Sequence, residues 1–429
     1  MLSVSTALAR LQDGLGESFP DSPGTRIIDI AFPLNDAFDP LLWCGQQPQW
    51  PQFYWQQRNG DEELAALGAV KTFSSLDAAN RFLCQTGRQD LRIGGLNAFE
   101  PQQGSLVLPR LEWRRCGGRA VLRLVLHSDI SLREDAATAR AFLASLTTTQ
   151  ATPGAIPPLL SERHSSDYPQ WQAMIARATK AISAGEMDKV VLARATDLQF
   201  AAPLDAVSIM AASRRSNLNC FHFLMAFNAR QAFFGSTPER LWRRRGALLR
   251  TEALAGTVAN HQEDAKAQQL ADWLMKDDKN QRENMLVVED ICQRLQSEAS
   301  TLDVLPPQVV RLRKVQHLRR CIWTELAAPD DSRCLLQLQP TAAVAGLPRR
   351  AALAFIQRHE PFAREWYAGS AGYLSLAQSE FCVALRSAKV DHDTLRLYAG
   401  AGIVSGSDAQ QEWQEIDNKA AGLRSLLCP

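Results

Sequence analysis

The amino-acid sequence predicts an α+β fold. Runs of branched apolar residues bounded by turn residues are typical of strands, and they recur along the chain. Between them lie stretches whose apolar residues recur every three or four positions, which is typical of amphipathic helices. The chain has 429 residues, of which 46% are hydrophobic, so it can bury one large core or two ordinary ones.

The first region of the chain, residues 1–150, contains both kinds of pattern. Its strand patterns are TRIIDIAFPL (25–34), LRIGGLNAF (91–99), GSLVLPRLEWRR (104–115) and RAVLRLVLHS (119–128). Its helical patterns are SLDAANRFLCQ (75–85) and REDAATARAFLASL (133–146). Residues 147–166 mix Thr, Pro, Gly and Ser without periodicity, which indicates a crossing into a second region. We predict that residues 1–150 are an integral part of one fold with a region over 165–427.

The second region begins with a helical pattern from residue 168 that stops at Gly185, a residue typical of a helix C-cap. The strand patterns that follow are DKVVLARATDL (188–198), CFHFLMAF (220–227), QAFFGSTPE (231–239), LLRTEALAG (248–256), EFCVALRSAKV (380–390) and TLRLYAGAGIV (394–404). Long helical patterns cover residues 263–298 and 408–426.

Composition excludes several classes of protein. The formal net charge is +1 and Lys and Arg are scattered, so the concentrated basic surface that nucleic-acid binding needs is missing. The nine cysteines are odd in number and form no C-x-x-C pair, which argues against a disulfide framework and a structural zinc site. No run approaches the ~20 apolar residues of a membrane span, and the first residues do not resemble a signal peptide. We expect a cytoplasmic protein without nucleic-acid or membrane partners.

Lys189 lies near the beginning of the strand pattern 188–198. Because side chains alternate along a strand, it shares a face with Val191, Ala193 and Ala195. One interpretation is a lysine at a strand end whose ammonium reaches water. The other is that small neighbours leave room for a ligand.

Other charged residues have similarly open interpretations. Glu239 follows a proline at a strand end, where an exposed turn carboxylate is common, and Arg386 shares a strand face with Cys382 and Ala384. Glu283 opens a helical segment at the edge of an apolar face. Further along the chain, one helical face carries Glu412, Glu415 and Lys419, in an order that favours a surface ion pair.

Eight motifs in one order resemble the chorismate-utilising family. They are KVVLAR, GSTPER, AGT, ENMLVVED, LQPTAAVAGLP, YAGSAGY, FCVALRSA and AGAGIVSGS followed by EWQEIDNK. The resemblance implies a single large fold of packed antiparallel β-sheets surrounded by helices, with a Mg²⁺-dependent site. It also implies that residues 165–427 form the chorismate-binding catalytic region.

The same resemblance favours one activity within the family. Members that use water carry a lysine at the position of Lys189, whereas members that use ammonia carry glutamine. Ala255 stands where the aminodeoxychorismate synthases have a nucleophilic lysine, so a covalent intermediate is excluded. The resemblance implies an isochorismate synthase, which adds water at C2 of chorismate and expels the C4 hydroxyl, most like the menaquinone-specific members. A salicylate synthase and a siderophore-pathway isochorismate synthase stay open as alternatives.

The resemblance also implies the catalytic roles. Lys189 would be the base that activates water. Glu239 would be the acid that protonates the leaving hydroxyl, and for this its pKa must be raised by an apolar setting. Phe233 and Trp242 are candidate walls of that setting.

The remaining implied roles concern the metal and the substrate. Glu283 and Glu415 would bind Mg²⁺, with Glu412 as an additional candidate that acts through water. The predicted substrate-binding residues are Thr257, Arg386, Gly400, Gly402 and Lys419. Chorismate is the expected partner, and the expected state is a monomer or weak homodimer.

Overall fold

The structure is a computed structural model that describes residues 3–34 and 38–427. Its helices are α1 (Val4–Gly14), α2 (Pro40–Gly45), α3 (Leu76–Thr86), α4 (Leu132–Ala144), α5 (Tyr168–Ser183), α6 (Ala206–Ser216), α7 (Asp264–Lys276), α8 (Asp278–Leu295), α9 (Asp331–Leu338), α10 (Arg349–His359) and α11 (Ala409–Leu427). Cys428 and the parts 1–2 and 35–37 of the N-terminal region lie outside the described residues.

Strands supply the rest of the regular structure. In the N-terminal region they are β1 (Gly24–Pro33), β2 (Gln52–Gln56), β3 (Glu62–Phe73), β4 (Ile93–Asn97), β5 (Gly104–Cys116) and β6 (Arg119–Ser128). The strands that follow are β7 (Leu159–His164), β8 (Lys189–Phe200), β9 (Phe221–Ala226), β10 (Gln231–Thr237), β11 (Arg240–Arg245), β12 (Leu248–Ala259), β13 (Ala299–Val304), β14 (Gln308–Arg311), β15 (Val315–Leu326), β16 (Gly346–Leu347), β17 (Ser370–Leu374), β18 (Gln378–Val383), β19 (Ser387–Asp391) and β20 (Thr394–Ile403).

All strand pairings among the described residues are antiparallel. One run pairs β13 and β14 with β15, then passes through β12, β11, β18, β17 and β4 to β5. From β5 the pairing continues through β3, β2, β9, β10, β19 and β20 to β8. Both β7 and β16 pair with β8, while β6 and β1 extend from β5. The predicted fold of antiparallel sheets with surrounding helices is therefore confirmed.

Two hydrophobic cores lie on opposite faces of the central strands. On β2, Phe53 and Trp55 point into the first core, whereas Tyr54 points into the second. The same alternation places Phe223 and Leu224 of β9 in different cores. Because both faces are covered, these strands are apolar at consecutive positions rather than at every second one.

The N-terminal region pairs directly with the rest of the chain. Its strand β2 pairs with β9, and β4 pairs with β17. The aperiodic segment 147–166 contributes β7, which pairs with the end of β8. The division at 1–150 and 165–427 stays a prediction.

Two predicted elements are interrupted. The single helix expected over 263–298 is two helices, because Asp277 adopts an extended conformation and caps α8 by accepting a 2.9 Å hydrogen bond from the Asn280 N–H. The α8 helix begins at Asp278, so Glu283 lies inside it rather than opening it. The strand expected over 380–390 is likewise two strands, and Arg386 lies between them with φ of +46°. Arg386 therefore shares no strand face with Cys382, contrary to the prediction.

Both ends of α5 follow the capping signals. Asp167 and Gln170 form a reciprocal capping box at the start of α5, and Gly185 follows its end with φ of +74°. Within the described residues, no helix is long and apolar enough to cross a membrane.

Candidate active site

A cavity of about 720 Å³ opens beside the first residues of β8. Its walls come from β8, β12, α8, β20 and α11, together with the β10–β11 and β18–β19 connections. It brings together every residue that the sequence proposed for chemistry: Lys189, Glu239, Thr257, Glu283, Arg386, Gly400, Gly402, Glu412, Glu415 and Lys419.

Lys189 reaches this cavity from inside the protein. The residue is only 1% exposed, so the interpretation of a strand-end lysine in water is wrong. Its Nζ atom donates to Oε1 of Glu283 at 3.0 Å. A Cβ atom at Gly402 would lie 3.1 Å from Cε of Lys189, so the glycine makes room for the lysine. Ala193 and Ala195 pack in the first core, and the expectation that these alanines leave room for a ligand is also wrong.

Glu239 is buried in the connection between β10 and β11, with 2% of its surface exposed. The pKa of its carboxyl is raised to about 8, chiefly by burial and next by the charge of Glu252, against the opposing charges of Lys189 and Lys419. A carboxyl with this pKa holds its proton at neutral pH. Glu239 thus has the protonation state of a general acid, and the interpretation of an exposed turn glutamate is wrong.

The apolar setting of Glu239 differs from the expected one. Phe233 and Trp242 are both buried in the first core and do not line the cavity. The apolar cavity walls near the connection include Pro238, Leu254 and Ala255.

Three carboxylates on two helices face the cavity. Glu283 on α8 accepts from Lys189, and Glu415 on α11 accepts from Lys419 with 2.6 Å between Oε1 and Nζ. Burial favours a high pKa for Glu283, but the charges of Lys189 and Lys419 hold that pKa below its usual value. The pKa of Glu412 is raised to about 7, first by burial and then by the charge of Glu415.

This donor set fits Mg²⁺. The ion takes oxygen ligands, usually one or two protein carboxylates, and keeps several waters. Glu283 and Glu415 supply carboxylate oxygens from two sides of the cavity, and the raised pKa of Glu412 marks negative charge that a cation would offset. Across residues 3–34 and 38–427, no three His, Cys, Asp or Glu side chains form a ready-made metal cage.

Arg386 is held by a residue that the sequence did not single out. One of its terminal nitrogens, Nη2, lies 2.8 Å from Nε2 of His317, and Nδ1 of His317 lies 2.9 Å from the hydroxyl oxygen of Thr257. Because a guanidinium only donates, Nε2 accepts and we assign the proton of His317 to Nδ1. Burial, and after it the charges of Arg386 and Lys419, hold the pKa of His317 well below its usual value. Thr257 accepts from this neutral ring, so its own hydroxyl proton is available to a ligand.

The glycines of β20 expose backbone to the cavity. Lys419 donates to the carbonyl of Gly400 at 2.8 Å, so that carbonyl points away from β8. The amides of Ala193 and Val191, which are paired with Gly400 and Gly402, bond elsewhere, to Glu360 and to the carbonyl of Ala345. These are therefore non-hydrogen-bonded pairs of the ladder, in which the amides of both glycines also point away from β8.

The match to a known family agrees with this arrangement. Residues 96–428 match the model of the chorismate binding enzymes, and the chain belongs to that family. Isochorismate synthase MenF of Escherichia coli is 66% identical over 428 residues, which cover 100% of this chain and 99% of the relative. Isochorismate synthase MenF of Haemophilus influenzae is 40% identical over 393 residues, covering 91% of this chain and 90% of the relative.

Solved structures extend the comparison. The structure of MenF, the menaquinone-specific isochorismate synthase of E. coli, superposes with a TM-score of 0.97 at 66% identity, covering 99% of this chain and 100% of that chain. Anthranilate synthase component I of Streptococcus pneumoniae has a TM-score of 0.66 at 19% identity and covers 98% of this chain and 97% of that chain. The second likeness shows a shared fold and nothing further.

Proposed function

We propose that the chain is an isochorismate synthase that isomerises chorismate by adding water at C2 and releasing the C4 hydroxyl. The observation that carries this proposal is that Lys189 and Glu239 face one cavity, where burial raises the pKa of Glu239 to about 8. The named activity of the relatives at 66% and 40% identity agrees with it. The sequence motifs predict the same activity.

Lys189 and Glu239 divide the proton transfers. Lys189, as the amine, takes a proton from water while the oxygen attacks C2. Glu239 gives its proton to the C4 oxygen, which leaves as water while the ring double bonds shift. One proton enters the enzyme and one leaves it, so Lys189 must return a proton to Glu239 through solvent before the next turnover. To act as a base, Lys189 must first leave its ion pair with Glu283.

The other cavity residues bind and orient the substrate. Arg386, Lys419 and the amides of Gly400 and Gly402 provide donors for the enolpyruvyl carboxylate. The Thr257 hydroxyl supplies a further donor.

We assign the metal to the carboxylates of Glu283 and Glu415. Bound Mg²⁺ would offset the negative charge of the ring carboxylate of chorismate among these side chains. The menaquinone pathway, a cytoplasmic location and a monomer or weak homodimer complete the proposal.

Product analysis tests the proposal. Purified protein incubated with chorismate and Mg²⁺ should give isochorismate, identified by NMR, and Lys189→Ala should lose turnover by roughly 10²-fold or more. Formation of salicylate and pyruvate would instead support the salicylate synthase alternative. Unchanged chorismate in the presence of folded protein and Mg²⁺ would reject the proposed function.

A further inference from the structure

A buried ion pair brackets the backbone of Glu239. Arg58 donates through Nη1 to the carbonyl of Pro238 at 2.8 Å, on one side of Glu239. On the other side, Oε1 of Glu252 accepts from the backbone N–H of Arg240 at 2.8 Å. Arg58 and Glu252 also bond each other twice, at 2.6 and 2.8 Å. The connection that carries Glu239 is therefore held from both ends by one two-pronged pair.

The pair lies behind the cavity rather than in it. The side chains of Arg58 and Glu252 are 9% and 0% exposed, and neither residue lines the cavity. Arg58 follows β2 of the N-terminal region, whereas Glu252 lies on β12. A contact with substrate is thus excluded for both side chains, so they can act on the chemistry only indirectly, and their bonds to Pro238 and Arg240 lead to Glu239.

A second buried carboxylate secures the same connection. Glu380, which is 0% exposed, accepts from Nε of Arg240 at 2.9 Å and from the side-chain amide of Gln57 at 2.8 Å. The residues that follow β2 therefore reach the connection through Gln57 as well as Arg58. This shared attachment restricts rotation of the backbone next to Glu239.

We infer that Arg58 and Glu252 are positioning residues that fix the backbone of Glu239 and hold its carboxyl toward the C4 oxygen of the substrate. The inference rests on the proposed function, in which Glu239 is the acid. It gives the N-terminal region a part in catalysis through Arg58. A misplacement of about 1 Å at a reacting group can lower turnover by roughly 10²-fold, which sets the size of the effect.

The charges around Glu239 support the same assignment. Three charged groups act on its carboxyl: Glu252 from β12, Lys189 from β8 and Lys419 from α11. Burial favours a high pKa for Glu252, but the charge and hydrogen bonds of Arg58 hold that pKa below its usual value. Glu252 therefore stays ionised while Glu239 keeps its proton, so the two neighbouring carboxyls differ in charge.

Two variants separate the positioning of Glu239 from the effect of the Glu252 charge on its pKa. Glu252→Gln removes the negative charge and one bond to Arg58, so kcat should fall roughly 10- to 100-fold with KM for chorismate little changed. Its alkaline limb of the pH–rate profile should also move to lower pH, because the charge that favours protonated Glu239 is gone. Arg58→Lys keeps the charge but not the two-pronged geometry, so kcat should fall while the pH limb stays in place.

Asp331→Asn is the matched control. Asp331 and Arg244 form another buried two-pronged pair, at 2.9 and 2.7 Å, and Arg244 also donates to a backbone carbonyl, that of Ser375. Neither residue lines the cavity. The control should lose stability with little change in kcat or the pH profile.

Measurements on the two variants and the control can support or overturn the inference. Wild-type kcat and an unmoved pH limb in folded Glu252→Gln would overturn it, as would an equal loss of kcat in the control. If Glu252→Gln fails to fold, a wild-type kcat in Arg58→Lys would overturn the inference instead. The infrared band of the Glu239 carboxyl is identified by its disappearance in Glu239→Gln. Its titration can be followed without turnover. A shift of this band to lower pH in Glu252→Gln therefore supports the inference, and an unshifted band contradicts it, even if the wild type leaves chorismate unchanged.

Discussion

In the proposed mechanism, the buried carboxyl of Glu239 gives up a proton and regains it in each turnover. Its pKa of about 8 lies far above the usual value of 4.5. As pH rises through about 8, the carboxyl ionises and can no longer protonate the C4 oxygen. We expect kcat/KM to fall above this pH, and a profile of initial rates between pH 6 and about 10 checks it. A flat profile across this range would contradict the acid role.

Glu239→Gln preserves shape but cannot deliver a proton. We expect kcat to fall by roughly 10²- to 10⁴-fold while chorismate still binds in the presence of Mg²⁺. Rates together with calorimetric binding of chorismate separate this result from loss of the site. Wild-type kcat in the variant would reject the assignment.

The same variant should be more stable than the wild type at neutral pH. The folded pKa of Glu239, about 8, is above the unfolded value near 4.5, so its contribution to stability is full below pH 4.5 and declines as pH rises through 8. Each pKa unit corresponds to about 1.4 kcal/mol, so the rise from 4.5 to about 8 gives Glu239→Gln a gain on the order of 4–5 kcal/mol at pH 8. Urea unfolding at pH 5 and pH 8 measures it, and a gain that is equal at both pH values contradicts it.

Substitution of Gly402 tests whether turnover needs the space beside Lys189. A methyl group at this position would lie 3.1 Å from Cε of Lys189, so the lysine side chain must move by a few tenths of an ångström, whereas the 3.6 Å contact with Oε1 of Glu283 is an ordinary one. We expect Gly402→Ala to fold but to lose roughly tenfold or more in kcat. Gly154→Ala is the control, because no atom lies within 4 Å of the added methyl. Equal rates in the two variants would show that the space is not needed.

Residue types and spacing predicted part of this site. Lys189, Glu239 and the helix carboxylates were found through the motifs that resemble the family, and the structure brings them to one cavity. His317, Arg58 and Glu252 were not found. Arg58 and Glu252 are 194 positions apart, and their pairing depends on strand neighbours that periodicity does not specify.

At the scale of elements, α8 begins after a break from α7 and brings Glu283 to the cavity. Asp277 caps α8, and Oδ1 of Asn280 in its first turn accepts from the backbone N–H of Thr257 at 3.0 Å. The composition of residues 263–298 favours helix throughout, so it predicted one continuous helix without this break. The aspartates at 277 and 278 were the available cap signal.

Asp277→Ala should therefore affect both stability and substrate use. Loss of the cap should cost about 1 kcal/mol, and KM for chorismate should rise because the start of α8 carries Asn280 and precedes Glu283. Ser75→Ala removes the cap of α3, which accepts from the Ala78 N–H, and serves as control. Urea unfolding and steady-state rates distinguish them: both variants lose stability, but only Asp277→Ala should change KM. An unchanged KM would separate the cap from substrate binding.

Arg386 shows a different limit of element prediction. Cys382 and Ala384 continue the apolar alternation that suggested one strand through residue 390. The strand β18 ends at Val383, and Arg386 adopts a left-handed backbone just before β19 begins, with its guanidinium directed at His317. A β-strand pattern contains no signal for such a residue, because arginine rarely adopts positive φ.

At the scale of the molecule, the metal would join helices from distant parts of the chain. Glu283 and Glu415 belong to α8 and α11, which face one cavity. Metal-stripped protein should be inactive, and Mg²⁺ should restore activity and raise Tm, because a ligand bound only to the folded state stabilises it. Glu415→Gln should weaken Mg²⁺ binding measured by calorimetry. Full activity after thorough chelation would reject the metal assignment.

The fold class could be predicted because periodicity and family motifs agree along most of the chain. The order of strands could not, since β5 pairs with β3, β4 and β6 while β2 pairs with the distant β9. Such pairings depend on which apolar faces meet, and many strands in this chain have apolar residues on both faces.

The pairing of β8 with β20 sets an order of events while the chain is being made. A ribosome releases β8 roughly two hundred residues before β20, a wait on the order of ten seconds or more at about 5–20 residues per second. During that time the backbone N–H and C=O groups on one edge of the strand that carries Lys189 are unpaired and open to association with other nascent chains. Glu415 and Lys419 emerge later still, on α11. The catalytic centre therefore matures last, after most of both cores can already have collapsed.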